Sequence, residues 1–290
     1  MAGSPPSPWP SRAAAAGVAL AVLLASGLAP GPAWVLCLAA LLWLALRPGL
    51  RPAWQDPPFV LGLGLGLALL AFAALCFWQC SAELAGHRWW WVEDDALVSM
   101  RYALRLVQGK GLTWTDGPPV EGYSNFLWTL GMALVHALGA GQATASAWVL
   151  LACGACLAWL GLATRALARA FGAGELEAAL AGAAMALSYD QLATALTGME
   201  GVAVAALTTQ ALACQARSLR EPGRPPWPAL ALASLLPLLR ADGALPACLI
   251  LWLAWPGLEG WRPKLAGLAL VLGPGLAHLA WRHAYYGAWV

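Results

Sequence analysis

Apolar residues recur along the chain in runs close to the ~20-residue length that crosses a bilayer, and polar residues gather in the gaps between them. The runs fall at residues 13–28, 34–46, 59–80, 126–140, 145–163, 176–187, 202–214, 229–239, 244–255 and 265–280. The pattern predicts an all-α fold, a polytopic transmembrane helical bundle of about nine spans plus one membrane-surface helix. Three regions follow: N-terminal transmembrane helices (1–80), an outer loop (81–125) and a second helical bundle (126–290). The surface helix is expected at 95–108. There Leu97, Met100, Leu104 and Val107 repeat at helical spacing, with Arg101 and Arg105 off that face. Asp94 or Asp95 is expected as its N-cap, and Gly109 and Gly111 end it. Arg12 followed by an apolar stretch has the outline of a signal peptide. The next apolar segment begins too soon for a polar mature region, so a retained first helix is expected.

The basic residues orient this layout. Lys and Arg are retained on the cytoplasmic side of spans. Arg12, Arg47 with Arg51, Arg165 with Arg169, Arg217 with Arg220 and Arg224, and Arg262 with Lys264 are therefore assigned inside. Residues 30–32, 81–125, 190–201, 240–243 and 282–287 then face outward. The alternation fails if 126–140 and 145–163 both cross, because Arg165 and Arg169 would end outside. Residues 126–140 are expected to lie along or dip into the membrane, or to form one broken descent with 145–163. An ordinary hairpin that violates the charge rule is the alternative. The uncommon polar clusters all fall on the outer side: Glu93/Asp94/Asp95, Glu121/Tyr123/Asn125, Thr197/Glu200, Arg240/Asp242 and Arg282/Tyr285/Tyr286.

Composition agrees with this picture. The chain is 61% hydrophobic and 10% charged, against about 25% charged in soluble domains. A net charge of +2 gives no reason to expect nucleic acid. The 7 cysteines lie in or beside apolar runs; Cys153 and Cys156 form a C-x-x-C within one apolar helix and read as packing residues. His136 and His278 read as packing or interhelical hydrogen-bonding residues, and Trp89–Trp91, Tyr285 and Tyr286 as interfacial aromatics.

The acids carry the candidate chemistry. Carboxylates at the mouth of a membrane bundle are costly to keep and usually have a task. Capping needs one Asp, whereas Glu93, Asp94 and Asp95 are consecutive. At least one is expected to serve catalysis or ligand binding. Arg240 and Asp242 fit either a mutual ion pair at a helix end or a binding site.

The pattern Asp94-Asp95-x3-Ser99-x-Arg101-Tyr102-Ala103, then Gly109-x-Gly111-Leu112, then Val120-Glu121-Gly122-Tyr123-Ser124-Asn125-Phe126-Leu127-Trp128 resembles bacterial GT-C glycosyltransferases. It is most similar to the branch containing mycobacterial terminal arabinofuranosyltransferases and the related flagellar-motor-control membrane proteins. Thr197-Gly198-Met199-Glu200, Arg240-Ala241-Asp242-Gly243 and Trp281-Arg282-x2-Tyr285-Tyr286-Gly287 resemble later motifs of the group, in the same order. Arg105 stands where the family usually has Asn. Relatives continue past the Tyr-Tyr-Gly, so a longer parent polypeptide is expected.

The resemblance implies a membrane enzyme of the bacterial cytoplasmic membrane with its site facing outward. It would transfer a sugar from a polyprenyl-phosphate donor to a hydroxyl of a glycan, lipid or protein. Asp94 or Asp95 would be the catalytic base. Arg240 and Arg282 would hold the donor phosphate, and Glu93, Arg101, Glu121, Tyr123, Asn125, Glu200 and Asp242 would complete the substrate site. The resemblance fixes no cofactor; a divalent metal held by Asp94 and Asp95 would share the work on the phosphate. Two other classes remain: a non-catalytic membrane assembly or regulatory protein of the same fold, and a transporter. Transporters keep such residues near the midplane on broken helices, and here they gather at one surface.

Overall fold

A computed structural model describes residues 77–221 and 223–287, which lie in one compact unit, Ala73–Val290. The expected spans at 13–28 and 34–46, and nearly all of 59–80, lie outside the described residues.

The described chain is mainly helical. It begins with a hairpin that the apolar pattern does not announce. Strands β1 (Ser81–Leu84) and β2 (His87–Trp90) pair antiparallel, Ser81 opposite Trp90 and Leu84 opposite His87. The turn residues Ala85 and Gly86 both have positive φ, the conformation that matches the twist of a two-residue hairpin. The tryptophans expected as surface anchors are partly drawn into this unit. Trp90 packs on Phe77 at 5.8 Å, and the Arg88 guanidinium lies 3.9 Å over Trp78.

Helix α1 (Asp94–Val107) follows, then a loop to α2 (Phe126–Ala137) and the long α3 (Gln142–Ala170). After α3 come α4 (Glu175–Ala186), α5 (Tyr189–Leu196) and α6 (Gly201–Arg220). The expected helix at 229–239 is broken into α7 (Trp227–Ala233) and α8 (Leu236–Leu239). Pro237 lies in the first turn of α8, where its missing N–H costs nothing; its ring would crowd the carbonyl of Ala233 if α7 ran on without a break. A short 3-10 turn (Ala241–Gly243) leads into α9 (Ala244–Ala254), and α10 (Trp261–Tyr286) ends the described chain.

Side-chain contacts fix the direction of each helix. Cys153 of α3 meets the Met199 carbonyl just before α6, Trp159 meets Gln210, and Arg165 and Arg169 share a cavity with Arg217 and Arg220. Helices α3 and α6 therefore run parallel, and their arginine clusters lie at the same end. Helix α4 returns antiparallel to α3. Gly161 and Gly182 face one another so closely that a Cβ on Gly182 would strike the Gly161 carbonyl. Small residues permit this approach. Helix α9 descends beside α6, with Gln215 donating to the Leu253 carbonyl at 3.1 Å. The 20 residues of α6 span ~30 Å from Glu200 at its N-cap to the arginines of its last turn.

Helix α2 does not traverse the bundle. It starts at Asn125, which bonds Glu200, and its residues Met132 and Ala133 pack with Ala145 and Val149 at the start of α3. Helix α3 then regains the Glu200 level at Cys153. The hairpin of α2 and α3 thus leaves from and returns to one end, which is why Arg165 and Arg169 join Arg217 and Arg220.

Among the described residues, two helices, α3 and α10, are long and apolar enough to cross a membrane, short of the expected bundle of about nine spans.

Candidate functional site

The carboxylate end of the bundle is built around Glu200. This residue ends the Thr197–Glu200 turn, where Gly198 has φ +79° and its Cα faces Val92 so closely that a Cβ would come within 2.6 Å of it. The Glu93 N–H donates to the Thr197 carbonyl at 2.9 Å, and Trp128 Nε1 donates to the Gly198 carbonyl at 3.0 Å. These contacts seat the start of α1 and the start of α2 on the head of α6.

Glu200 is 1% exposed, and a buried carboxylate needs partners. Asn125 Nδ2 donates to its Oε2 at 2.7 Å, and Arg240 reaches its Oε1 at 3.4 Å. Asn125 Oδ1 in turn accepts from Ser99 Oγ at 2.9 Å and from Thr129 Oγ1 at 3.0 Å. Arg240 is also held by Asp242, Nε to Oδ1 at 3.0 Å, a bond that favours its charged form. Its side chain is 45% exposed, so the rest of its donor fork is open to a ligand.

A second network surrounds Glu121. Arg282 donates to Glu121 Oε2 through Nε at 2.8 Å and a terminal nitrogen at 2.7 Å. Tyr286 Oη donates to the Leu112 carbonyl at 2.8 Å and lies 3.3 Å from Tyr123 Oη. Tyr102 Oη donates to the Val120 carbonyl at 2.8 Å, and its ring packs 4.9 Å from that of Tyr123. Burial, with the Glu121 charge adding to it, pushes the Tyr123 hydroxyl up to about 12 and raises Tyr102 as well. Both are neutral hydrogen-bonding groups at physiological pH. Tyr285 and Tyr286, expected as interfacial aromatics, also fasten the loop to α10: Tyr286 bonds the Leu112 carbonyl, and Tyr285 stacks on Trp281 at 5.2 Å. His278 packs against Phe126 at 4.3 Å, and Cys153 is buried against α6, in keeping with packing roles.

Helix α1 joins the two networks. Its buried stripe carries Ala96, Ser99, Met100, Tyr102 and Ala103. Ser99 belongs to the Glu200 network and Tyr102 to the Glu121 network. Asp95 stands one turn before Ser99 on the same side, a separation of about 5–6 Å between Cβ atoms. Asp94 and Arg101 lie on another side of the helix, and Asp94, Asp95 and Arg101 are all exposed.

Several expectations change here. Glu93 is the N-cap of α1 and makes no side-chain cap bond; Asp94 and Asp95 occupy the first turn, favourable to the helix dipole but not caps. Glu93 contributes its backbone. Leu97 and Val107 of the expected apolar stripe are exposed, whereas Arg105 is 3% exposed. It donates to Thr113 Oγ1 at 3.1 Å, the Thr115 carbonyl at 2.8 Å and Asp116 at 2.6 Å. Its hydrogen bond, and then its charge, hold the Asp116 carboxyl below the usual range. Glu200 and Asp242 meet at Arg240, and Glu121 is held apart by Arg282; among the described residues no group of three or more His, Cys, Asp or Glu side chains is arranged to hold a metal.

No family model, curated protein or solved structure matches this chain. The site therefore stands on its own chemistry. Residues that the sequence reading did not nominate include Ser99, Tyr102, Thr129 and Arg105. Helical spacing was their available signal, since Asp95/Ser99 and Asn125/Thr129 are i,i+4 pairs.

Proposed function

We propose that this chain is an integral membrane glycosyltransferase of GT-C type. It transfers a sugar from a polyprenyl-phosphate donor to a hydroxyl of a glycan, lipid or protein at the outer side of the bacterial cytoplasmic membrane. The observation that carries this reading is the half-exposed Arg240, strung between Glu200 and Asp242, on the same end of the bundle as Asp95.

Membrane insertion is supported by exposure. The apolar window of α10 is only 11% buried, unlike the core helix of a water-soluble protein. Trp148, Leu162, Leu245, Trp252, Leu265 and Leu276 are all more than half exposed, a surface that suits lipid. The ~30 Å from Glu200 to the arginine end matches a bilayer's hydrocarbon thickness. In this reading α3, α4–α5, α6, α7–α8, α9 and α10 cross, and α1 lies across the outer mouth with Leu97 and Val107 toward lipid.

The chemistry follows from the positions. The acceptor oxygen attacks the anomeric carbon while its proton passes to the Asp95 carboxylate. The bond from that carbon to the lipid phosphate oxygen breaks, and the phosphate leaves with the electron pair. Arg240 faces the growing phosphate charge; at ~4 Å this attraction is about 4 kcal/mol for an effective dielectric near 20. Glu200 and Asp242 orient the guanidinium, which binds phosphate in two-pronged fashion. Arg282 is committed to Glu121 and acts on the loop instead of the donor. An apolar groove lined by Pro237, Ala244, Ala247, Val271, Gly275 and Leu276, between α8, α9 and α10, suits the first units of the polyprenyl tail.

The test is the Asp94→Asn/Asp95→Asn double variant in membranes. It should still bind the polyprenyl-phosphate sugar and lose transfer. Transfer at the parent rate would overturn the assignment and favour a non-catalytic assembly role for the same fold.

A further inference from the structure

A cavity of about 480 Å³ lies at the other end of the bundle, between the C-terminal turns of α3 and α6. Arg165, Arg169, Arg217 and Arg220 line it with Glu221, and Leu162, Ala166 and Ala170 form an apolar wall. Glycosyl transfer makes no use of it.

Its charges are unevenly matched. Glu175 is shared by Arg165 at 2.7 Å and Arg169 at 3.1 Å. Glu221, the one carboxylate in the lining, is taken by Arg224. Arg217 and Arg220 have no carboxylate among the described residues, although Arg220 lies over the Phe171 ring at 5.6 Å. The negative ends of two parallel helices ease the gathering of guanidinium groups. Helix dipoles are screened and local, however, and do not neutralise four cations around one hollow. Among the described residues the guanidinium groups around the hollow outnumber the carboxylates. A guanidinium cluster with an apolar wall beside it fits a phosphate that carries a hydrocarbon tail better than a fully hydrated ion.

We propose that this cavity binds the phosphodiester headgroup of an anionic membrane lipid. The proposal rests on the membrane part of the preceding reading and is independent of glycosyl transfer. In that orientation the cavity opens on the cytoplasmic leaflet, some 30 Å from Glu200. The lipid's phosphate meets Arg217 and Arg220, and its glycerol and first methylenes rest on Leu162 and Ala166.

Native mass spectrometry of the detergent-purified protein tests this, with phosphatidylglycerol, phosphatidylcholine and inorganic phosphate as probes. Phosphatidylglycerol should be retained in preference to phosphatidylcholine. Arg217→Gln/Arg220→Gln should weaken its retention about tenfold or more, the scale of two basic residues at an anionic surface. Arg262→Gln/Lys264→Gln, at another basic cluster, should leave it unchanged. Equal retention of the two lipids, or undiminished phosphatidylglycerol binding by a folded Arg217/Arg220 variant, overturns the proposal. Displacement of the lipid by low millimolar inorganic phosphate also overturns it, since the site would then serve a soluble anion. A separate arm asks whether alkaline carbonate strips the chain from membranes. Stripping would sink the membrane reading itself, whereas retention with failed lipid selectivity sinks the cavity proposal alone.

Discussion

Asp94 and Asp95 are adjacent in sequence but about 100° apart around α1. Asp95 therefore shares a side with Ser99, whose hydroxyl enters the Glu200 network, and Asp94 shares a side with exposed Arg101. The sequence leaves both candidates open; helix phase separates them. Asp95→Asn alone should lower the transfer rate roughly 100–10,000-fold, the range of general-base assistance, while Asp94→Asn stays within a few-fold. Donor binding should survive both, because proton acceptance matters mainly in the transition state. Single-turnover transfer with a preloaded donor would decide it, and equal losses in the two variants would remove Asp95's privileged role. Tyr123 supports a second expectation at this scale. Its hydroxyl titrates near 10 when unfolded and is pushed up to about 12 by burial and by the Glu121 charge. The folded state thus holds this proton more tightly. The resulting stability is complete below pH ~10 and is lost as pH rises toward ~12. Alkaline melting curves of the parent should fall more steeply across that window than those of Tyr123→Phe. Parallel curves would show that Tyr123 is not buried as described.

Elements were legible where their cause is local and opaque where it is not. The periodicity of 95–108 gives a helix to within a residue of α1, and Gly109 ends it with φ +74°. Which face is buried was not legible. Arg105 looks like a surface residue and lies inside, because its partners Thr113, Thr115 and Asp116 follow after a turn. The β1–β2 hairpin was hidden for a similar reason: its tryptophans suit a strand and a membrane interface equally well. Arg105 acts as the clasp of residues 109–120. Since Asp116 is largely exposed, Arg105→Ala strands no buried charge, and the cost should be that of lost charged hydrogen bonds, roughly 1–3 kcal/mol. Faster proteolysis within 109–120, with the helical bundle still protected, is the expected readout. Gly198→Ala should do broader damage. It places a Cβ against Val92 at a backbone angle that side chains disfavour, with a strain on the order of 1–3 kcal/mol. The seat shared by α1, α2 and α6 would loosen, and both melting temperature and transfer should drop.

At the scale of the molecule, charge and polarity separate toward opposite ends. Glu121, Asn125, Glu200, Arg240, Asp242 and Arg282 gather at one; Arg165, Arg169, Arg217 and Arg220 gather at the other. The basic clusters alone could be read from the sequence by the retention rule, and the acids were not used in that reading. Their convergence depends on long-range contacts such as Asn125 with Glu200 and Arg282 with Glu121, which no local pattern encodes. The hairpin of α2 and α3 is the link between the two levels. Because α2 starts and α3 regains the bundle at the Glu200 level, a single passage of α3 carries Arg165 and Arg169 to the arginine end. This makes a definite topological prediction for the protein in its membrane. In a background with the native cysteines replaced, Thr115→Cys and Ala173→Cys sit on opposite ends of the bundle, and each mainly alters an exposed or half-exposed side chain. An impermeant thiol reagent applied to intact cells should label residue 115, and should reach residue 173 only after the cells are opened. Labelling of both in intact cells would mean that α3 does not cross between them. The reverse pattern would put Asp95, Glu200 and Arg240 on the cytoplasmic side, away from any acceptor beyond the membrane, and would exclude the transferase reading together with the leaflet assigned to the arginine cavity.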